Sequence, residues 1–408
     1  MSIDISALRK KQKKDKIKKI VISVLIFFVI AAVVLVIVFT HDRWYPKMEG
    51  ILTKVPELPG TAKEVTLAEG NFPLALPEAE TIHARTVSGT DGGIALVTDT
   101  KTALYDKNGN EILGVSHNYG NPALFAYGTE FAAYDIGGKT LSVYKNGRVR
   151  FTKTLDEQIL LVRVFDGLCG VVTIGSKHPA VLTVFDNTGR NIFSFKSVER
   201  ITDVTFDREK KGVYITLLSS KGGDLVTKLV YYSFTETAKD DSGAVIPIHE
   251  SDWFNTLSLS VTLIAAQSED LLLLIGDREL VILSSSLSIL KQQIYADFGN
   301  LKDYSVTDSA AVVLFEGKTS NSSDLLIMGA DYNIREMNIN KNIVAVSAVS
   351  NEYGILALSE DNIDRIDITG KDFADIKIPG VYNNMYTADG YIYLSGYGEI
   401  NRLDLPSE

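Results

Sequence analysis

Five histidines, one cysteine and 51 acidic residues are what this 408-residue chain offers to chemistry. His41, His83, His117, His178 and His249 are scattered, and no two lie within five residues of each other. Neither H-x-x-x-H nor H-E-x-x-H is formed, so the spacing marks no zinc site and the histidines read as loop or strand-surface residues. There is no G-x-S-x-G nucleophile elbow, no P-loop and no G-x-G-x-x-G. Asp240-Asp241-Ser242-Gly243 begins like a calcium loop but lacks the later ligands and the bidentate Glu, which makes it a solvated turn. Cys169, in Gly167-Leu168-Cys169-Gly170-Val171, adjoins an apolar strand and reads as a small buried hydrophobe. A single cysteine also excludes an intramolecular disulfide. The sequence thus assigns no catalytic, metal-ligating or cofactor-binding residue.

Aromatic residues are the better candidates for recognition. Tyr382, Tyr386, Tyr391, Tyr393 and Tyr397 cluster late in the chain, and Trp253-Phe254 falls in an expected loop. Tyrosine offers rigid, amphipathic area suited to interfaces and to sugar stacking. Tyr391 and Tyr393 share a strand face at i, i+2, which favours packing for those two. Trp253, Phe254, Tyr382, Tyr386 and Tyr397 remain as a candidate binding surface.

What must position these residues is a repeat. After residue 88 the chain cycles through an apolar strand, a short turn, a second apolar strand and another turn, eight times over. Anchored at the end of the second of these strands, the copies fall at Tyr105, Tyr144, Phe185, Tyr232, Leu283, Met328, Ile366 and Leu403. The spacings are 39, 41, 47, 51, 45, 38 and 37 residues, in the range of about 40–50 for a four-stranded propeller blade. Ile94–Val97, Val171–Ile174, Val213–Leu218, Leu271–Ile275, Val312–Phe315 and Ile355–Leu358 are short apolar runs bounded by turn residues, which signals buried strands rather than helices. Tyr105-Asp106-Lys107-Asn108-Gly109, Phe185-Asp186-Asn187-Thr188-Gly189 and Ile366-Asp367-Ile368-Thr369-Gly370 end three copies alike. In each, Asp can accept from its own backbone two residues on, and Gly supplies a positive φ. Lys145-Asn146-Gly147 is an Asn-Gly hairpin signal. The fourth copy is interrupted by Thr235–Ile246, read as a surface excursion, and the fifth, around Ser284-Ser285-Ser286, lacks the glycine. The expected fold is all-β, a propeller of eight four-stranded blades over 62–408. Seven blades is the alternative if the fifth copy is incomplete. Lys63–Leu67 is the expected donor of the outer strand that the last copy lacks, closing the ring.

Ahead of the propeller, Ile20 to Phe39 is twenty residues with no charge and only Ser23 polar, enough helix to cross about 30 Å of hydrocarbon. Residues 1–19 hold 8 cations and 2 anions, while 41–408 hold 33 cations and 49 anions. The positive-inside rule puts the N-terminal tail in the cytoplasm and the propeller outside the cell membrane. Trp44 and Tyr45 suit the outer interface. The apolar run is longer than a signal-peptide core and is followed by no A-x-A-like site, so an uncleaved signal anchor is expected. Residues 40–61, with Pro46, Pro56 and Pro59, read as an extended stalk. The acidic ectodomain argues against electrostatic binding of nucleic acid. A disulfide-free extracytoplasmic domain fits a bacterial surface.

The turns Asp186-Asn187-Thr188-Gly189-Arg190 and Asp367-Ile368-Thr369-Gly370-Lys371 resemble the D-x-T-G-K/R turn of quinoprotein-like blades, with Phe193 and Phe373 on the strand that follows. The closing Trp of that motif is missing, as are the Trp-Asp and Gly-His signatures of WD40 repeats, so no cofactor residue is carried across. The complete layout resembles a family of single-span propeller proteins from Gram-positive bacteria known as a domain of unknown function. That resemblance implies a location and a fold, and no activity.

Three functions follow as expectations. The first is a non-catalytic platform for an extracytoplasmic protein partner in the cell envelope. The second is a glycan-active hydrolase or lyase using paired carboxylates in the central channel. The third is a surface sensor signalling through the basic tail.

Overall fold

The computed structural model describes residues 63–64, 70–76, 82–88, 93–175, 178–236, 238–239, 245–252, 254, 260–265, 271–295, 297–307, 309–349, 354–369 and 375–405. These residues form eight sheets of four or five strands and one additional two-stranded sheet. Every expected copy is a blade. In blade one, His83–Val87, Gly93–Val97, Lys101–Asp106 and Glu111–Ser116 pair antiparallel in sequence order. Blades two, three, five and six repeat that order. The excursion of the fourth copy is a hairpin of its own, Ala238–Lys239 with Val245–Ile246. It delays the outer strand of blade four until His249–Glu250, which pairs with Val230 and Tyr231.

The apolar runs sit where both faces of a sheet are covered. Gly93–Val97 is buried at every position, and so is Leu168–Thr173. A strand sandwiched between two neighbouring blades has no solvent side, so alternation disappears from its sequence. Outer strands show the reverse: Ile289–Ile294 is mostly exposed. Eight apolar clusters result, one at each interface of the ring. Val172, Leu182 and Phe206 belong to the one between blades three and four, and Leu74, Leu96, Tyr393 and Ile400 to the one between blades eight and one.

The turns work as their residues predict. Asp186 Oδ1 accepts from the N–H of Thr188 at 2.8 Å and of Arg190 at 3.1 Å, and Gly189 takes φ +79°. A side chain at Gly189 would meet Phe151 of the preceding blade. The fifth copy builds the same turn without glycine. Ser284 N–H donates to Ser288 O at 2.9 Å, as Asp186 N–H does to Arg190 O, and Leu287 adopts φ +66°. Leu287 is buried against Phe254 and Leu272, and that burial offsets the strain of a left-handed leucine.

Ring closure departs from the expectation. The outer strand of blade eight is Leu74–Ala75, antiparallel to Glu399–Ile400. Lys63–Glu64 instead adds a fifth strand to blade seven, parallel to Ile376–Lys377. The physical reason lies in the docking of residues 70–76. Asn71 N–H donates to Asn108 O at 2.8 Å, locking this segment to the turn of blade one. Phe72 lies over the guanidinium of Arg402, which also packs 4.5 Å from the ring centre of Tyr391. Leu74 and Leu76 then fill the last interface.

Among the described residues no helix is long and apolar enough to cross a membrane. Ile20–Phe39, with Trp44 and Tyr45, lies outside the described residues, as does Asp240–Gly243.

Candidate functional site

The innermost strand of each blade starts at one rim, here the upper face, and runs along the channel to the lower face. The upper face therefore carries the loop between second and third strands and the loop into each next blade. Four successive blades break the inner strand with a bulge just below that rim, after Ile159, Ser260, Ile201 and Leu301. A bulge re-aims the side chain beyond it. In blades four and six that residue is an aspartate, Asp203 and Asp303.

These are the only two carboxylates on the eight innermost strands. Asp203 is fully buried and accepts from Arg163 Nε of blade three at 2.8 Å. The same guanidinium lies 4.5 Å from the ring centre of Phe125 in blade two. Asp303 Oδ2 accepts the Val346 N–H of blade seven at 2.9 Å. Burial pushes the Asp303 carboxyl above its usual range, against the pull of the Val346 and Tyr304 N–H groups and of the Arg85 charge from blade one. Arg85 itself packs over Tyr386 of blade eight at 5.6 Å. The channel wall is thus a ring of charge and aromatic area, with the two aspartates engaged in holding neighbouring blades. Glycoside hydrolysis by a carboxylate pair requires the two to face one bond, and Asp203 and Asp303 are each hydrogen-bonded to a neighbouring blade instead.

The histidines stay apart. His117 stacks on Tyr119, with ring centres 3.7 Å apart, and hydrogen-bonds Thr102 at 2.9 Å. His249 packs near Tyr231 at 5.9 Å, while His83 and His178 lie on other blades or loops. No group of three or more His, Cys, Asp or Glu among the described residues could hold a metal. Cys169 is wholly buried, and burial pushes its thiol far up, as suits an inert core residue.

The aromatic candidates divide by burial. Phe254 is 5% exposed and packs with Tyr214 and Leu229. Tyr382 is 3% exposed, its hydroxyl accepting from Asn401 Nδ2 at 2.8 Å. Neither presents a ring to solvent, because each fills a gap between blades. Tyr386 faces the channel beneath Arg85. Tyr397 is 90% exposed. Trp253 lies outside the described residues.

Tyr397 is not alone on its face. Ile136, Ile174, Val198, Leu225 and Val381 are all exposed large apolar residues on upper-face loops or strand ends, Val198 at 78%. Beside three of them rises the long hairpin of blade four, Gly212–Lys221 with Asp224–Ser233, paired to its tip at Lys221 and Asp224. Its strands are ten residues long against six or seven in blades two and six. The added length lifts Leu225 roughly 10 Å above the neighbouring loops. Sequence reasoning missed these residues because they are isolated in the chain and share a face only through the blade order.

A family model described as a family of unknown function, DUF5711, matches residues 78–394. The chain belongs to that family. No curated protein matches it. The DUF5711 propeller is similar to the crystal structure of BamB from Moraxella catarrhalis, with TM-score 0.54 and 12% identity over 84% of this chain and 98% of that one. It is also similar to Hsv2 from Kluyvelomyces marxianus (TM-score 0.47, 8% identity, 71% and 93% covered). The WD40 domain of Neurospora crassa Pan2 gives TM-score 0.44 and 10% identity, with 71% and 89% covered. At such identities the likeness to BamB concerns the fold alone.

Proposed function

We propose that this DUF5711 protein is a single-span membrane protein whose propeller lies outside the cytoplasm and docks a protein partner on its upper face. The observation that carries the docking is the placing of the most exposed apolar side chains on the upper face. Val198, Val381 and Tyr397, at 78%, 61% and 90%, are the most exposed large apolar side chains among the described residues and all belong to the upper face, while the lower ends of the outer strands reach 48% at Ile289 and 57% at Leu290. Strongly exposed apolar side chains on a loop-bearing face suit an interaction site, and aromatic anchors such as Tyr397 supply much of the energy at such sites. The span Ile20–Phe39 and the basic tail before it support the membrane reading. A non-catalytic role is favoured over a glycan-active one by the engagement of Asp203 with Arg163 and of Asp303 with Val346.

Site-specific photo-crosslinkers test the reading. Placed at Val198, Leu225 and Tyr397 in the full-length protein in its native membrane, they are expected to trap one common partner. Crosslinkers at Lys107 and Asn187, in lower-face turns, are expected to trap none. Equal yields from both faces, or no product from the upper one, would overturn it.

A further inference from the structure

The outer edge of blade seven holds two carboxyl groups and one buried oxygen that lacks a donor. Asp364, on the third strand Asn362–Ile366, is 1% exposed. Its Oδ1 accepts from Lys341 Nζ at 2.6 Å, and its Oδ2 is buried without a hydrogen-bond donor. Asp375 stands immediately before the outer strand Ile376–Lys377. Its Oδ2 accepts from Asn362 Nδ2 at 2.8 Å and lies 3.5 Å from Lys341 Nζ. The two carboxyls are within hydrogen-bonding reach of each other. One ammonium against two carboxylates leaves an excess negative charge beside the buried Asp364, while Lys341 and Asp375 are 38% and 37% exposed, and that charge is costly at the buried carboxyl. A single proton shared between the carboxyls removes that charge and satisfies the orphan oxygen together.

The position of Asp375 gives the proton a mechanical meaning. Ile376–Lys377 is held by only two register pairs, Ile376 with Ile363 and Lys377 with Asn362. The N-terminal strand Lys63–Glu64 is held in turn by Ile376–Lys377. Beyond the burial of Ile376 and an Ile378 N–H bond to Asp361 O at 3.3 Å, both strands depend on a residue whose anchors are Asn362, Lys341 and the shared proton. We propose that Asp364 and Asp375 form a proton-operated latch: with the proton in place both edge strands stay paired, and its loss releases them from blade seven. Burial first, and Asp375 next, push the Asp364 carboxyl up to about 7. Lys341 opposes both, and Asp361 and Lys377 are the other charges on the adjoining turn and strand. Latching is therefore full below the unfolded carboxyl value near 3.8, weakens across mild acid and is lost as pH rises through about 7. Release frees the chain ahead of the segment docked at Asn71, about seven residues from Lys63, roughly 25 Å of extended backbone. On the membrane reading above, that lengthens the tether; the latch itself does not depend on it.

Hydrogen exchange of the full-length protein in lipid nanodiscs between pH 5.5 and 8.5, corrected for intrinsic rates, tests the latch. Peptides spanning 375–378 and 62–66 are expected to lose protection about tenfold between pH 5.5 and 7 and little more above it, while strands of blade three keep theirs. In Asp364→Asn the amide donates to Asp375 at every pH, so protection is expected to stay high throughout. Asp375→Asn supplies a donor from the other side and serves if the first variant misfolds. Constant protection across pH in the wild type, or an unchanged pH response in a folded variant, would overturn the proposal. Neither result bears on the upper-face crosslinks.

Discussion

Replacing Glu130 by alanine tests whether the blades are joined by buried charge as well as by apolar packing. Glu130 opens the second strand of blade two and is 1% exposed. Its Oε1 meets Arg150 Nη1 at 2.8 Å and Lys145 Nζ at 3.0 Å, and its Oε2 accepts the Gly167 N–H of blade three at 2.9 Å. The three partners fare differently once it is gone. Lys145 is 33% exposed and keeps Asp166 at 3.3 Å, so it loses little. Arg150 is 10% exposed and is left a buried cation without its carboxylate. Breaking a buried pair from one side costs about 3–5 kcal/mol, and the stranded N–H of Gly167 falls within that range. The unfolding entropy of a domain of roughly 340 residues is about 0.7 kcal/mol/K, so Tm should fall by about 4–7 °C. Glu111→Ala, which breaks an ion pair with Lys101 exposed by about 40% on both sides, is the control and should cost less than about 1 kcal/mol. Both are read by urea denaturation and calorimetry. If Glu130→Ala cost no more than Glu111→Ala, water would be reaching the Glu130 site and the assignment of a buried inter-blade anchor would be wrong.

Leu74→Ala should cost about 2–3 kcal/mol, at the low end for a buried leucine because its strand is short and peripheral. Hydrogen exchange should rise in Glu399–Asp404 and not in blade three; uniform loosening would refute local closure. The sign of the Asp303 effect is fixed by its raised carboxyl. Its contribution to stability is full below the unfolded value near 3.8 and is lost as pH rises through the folded one, so Asp303→Asn should flatten that part of the stability–pH curve, and an unchanged curve would exclude Asp303 as the source. Tyr397→Cys should react on intact cells with a membrane-impermeant maleimide, while native Cys169, buried in the core, should not react until the protein unfolds. Labelling of Tyr397→Cys only after lysis would overturn the extracytoplasmic placement.

The blades were legible because a four-stranded unit needs chemically marked turns and doubly buried strands, and both leave local traces. Asp106, Asp186 and Asp367 with their downstream glycines or threonines are such traces. So are the unbroken apolar runs at Ile94–Val97 and Val312–Phe315. Leu287 hid the fifth turn because tertiary burial replaced the backbone freedom of glycine. The closing strand was misplaced for a related reason. Leu74–Ala75 is two residues long and sits between Pro73 and Pro77, and nothing local distinguishes it from Lys63–Leu67. What selects it is Phe72 on Arg402 and Asn71 on Asn108, partners remote in the chain. The channel pair of Arg163 and Asp203 and the upper-face apolar residues were invisible for the same cause. Tyr382 and Phe254 carry the residue types of a binding surface, but only packing decides whether such rings point out or in.

The closure by Leu74–Ala75 also orders events in time. A ribosome makes this segment among the first residues of the propeller and its partner, Glu399–Ile400, among the last. Leu74–Ala75 has no sheet to join, and blade one lacks one neighbour, until the last strands of the propeller have been made. A contact so distant in sequence is slow to form, and until it forms an unpaired edge is open to strands of other chains. The seam is therefore where a half-made propeller is most vulnerable to aggregation, and where a folding helper would have most effect.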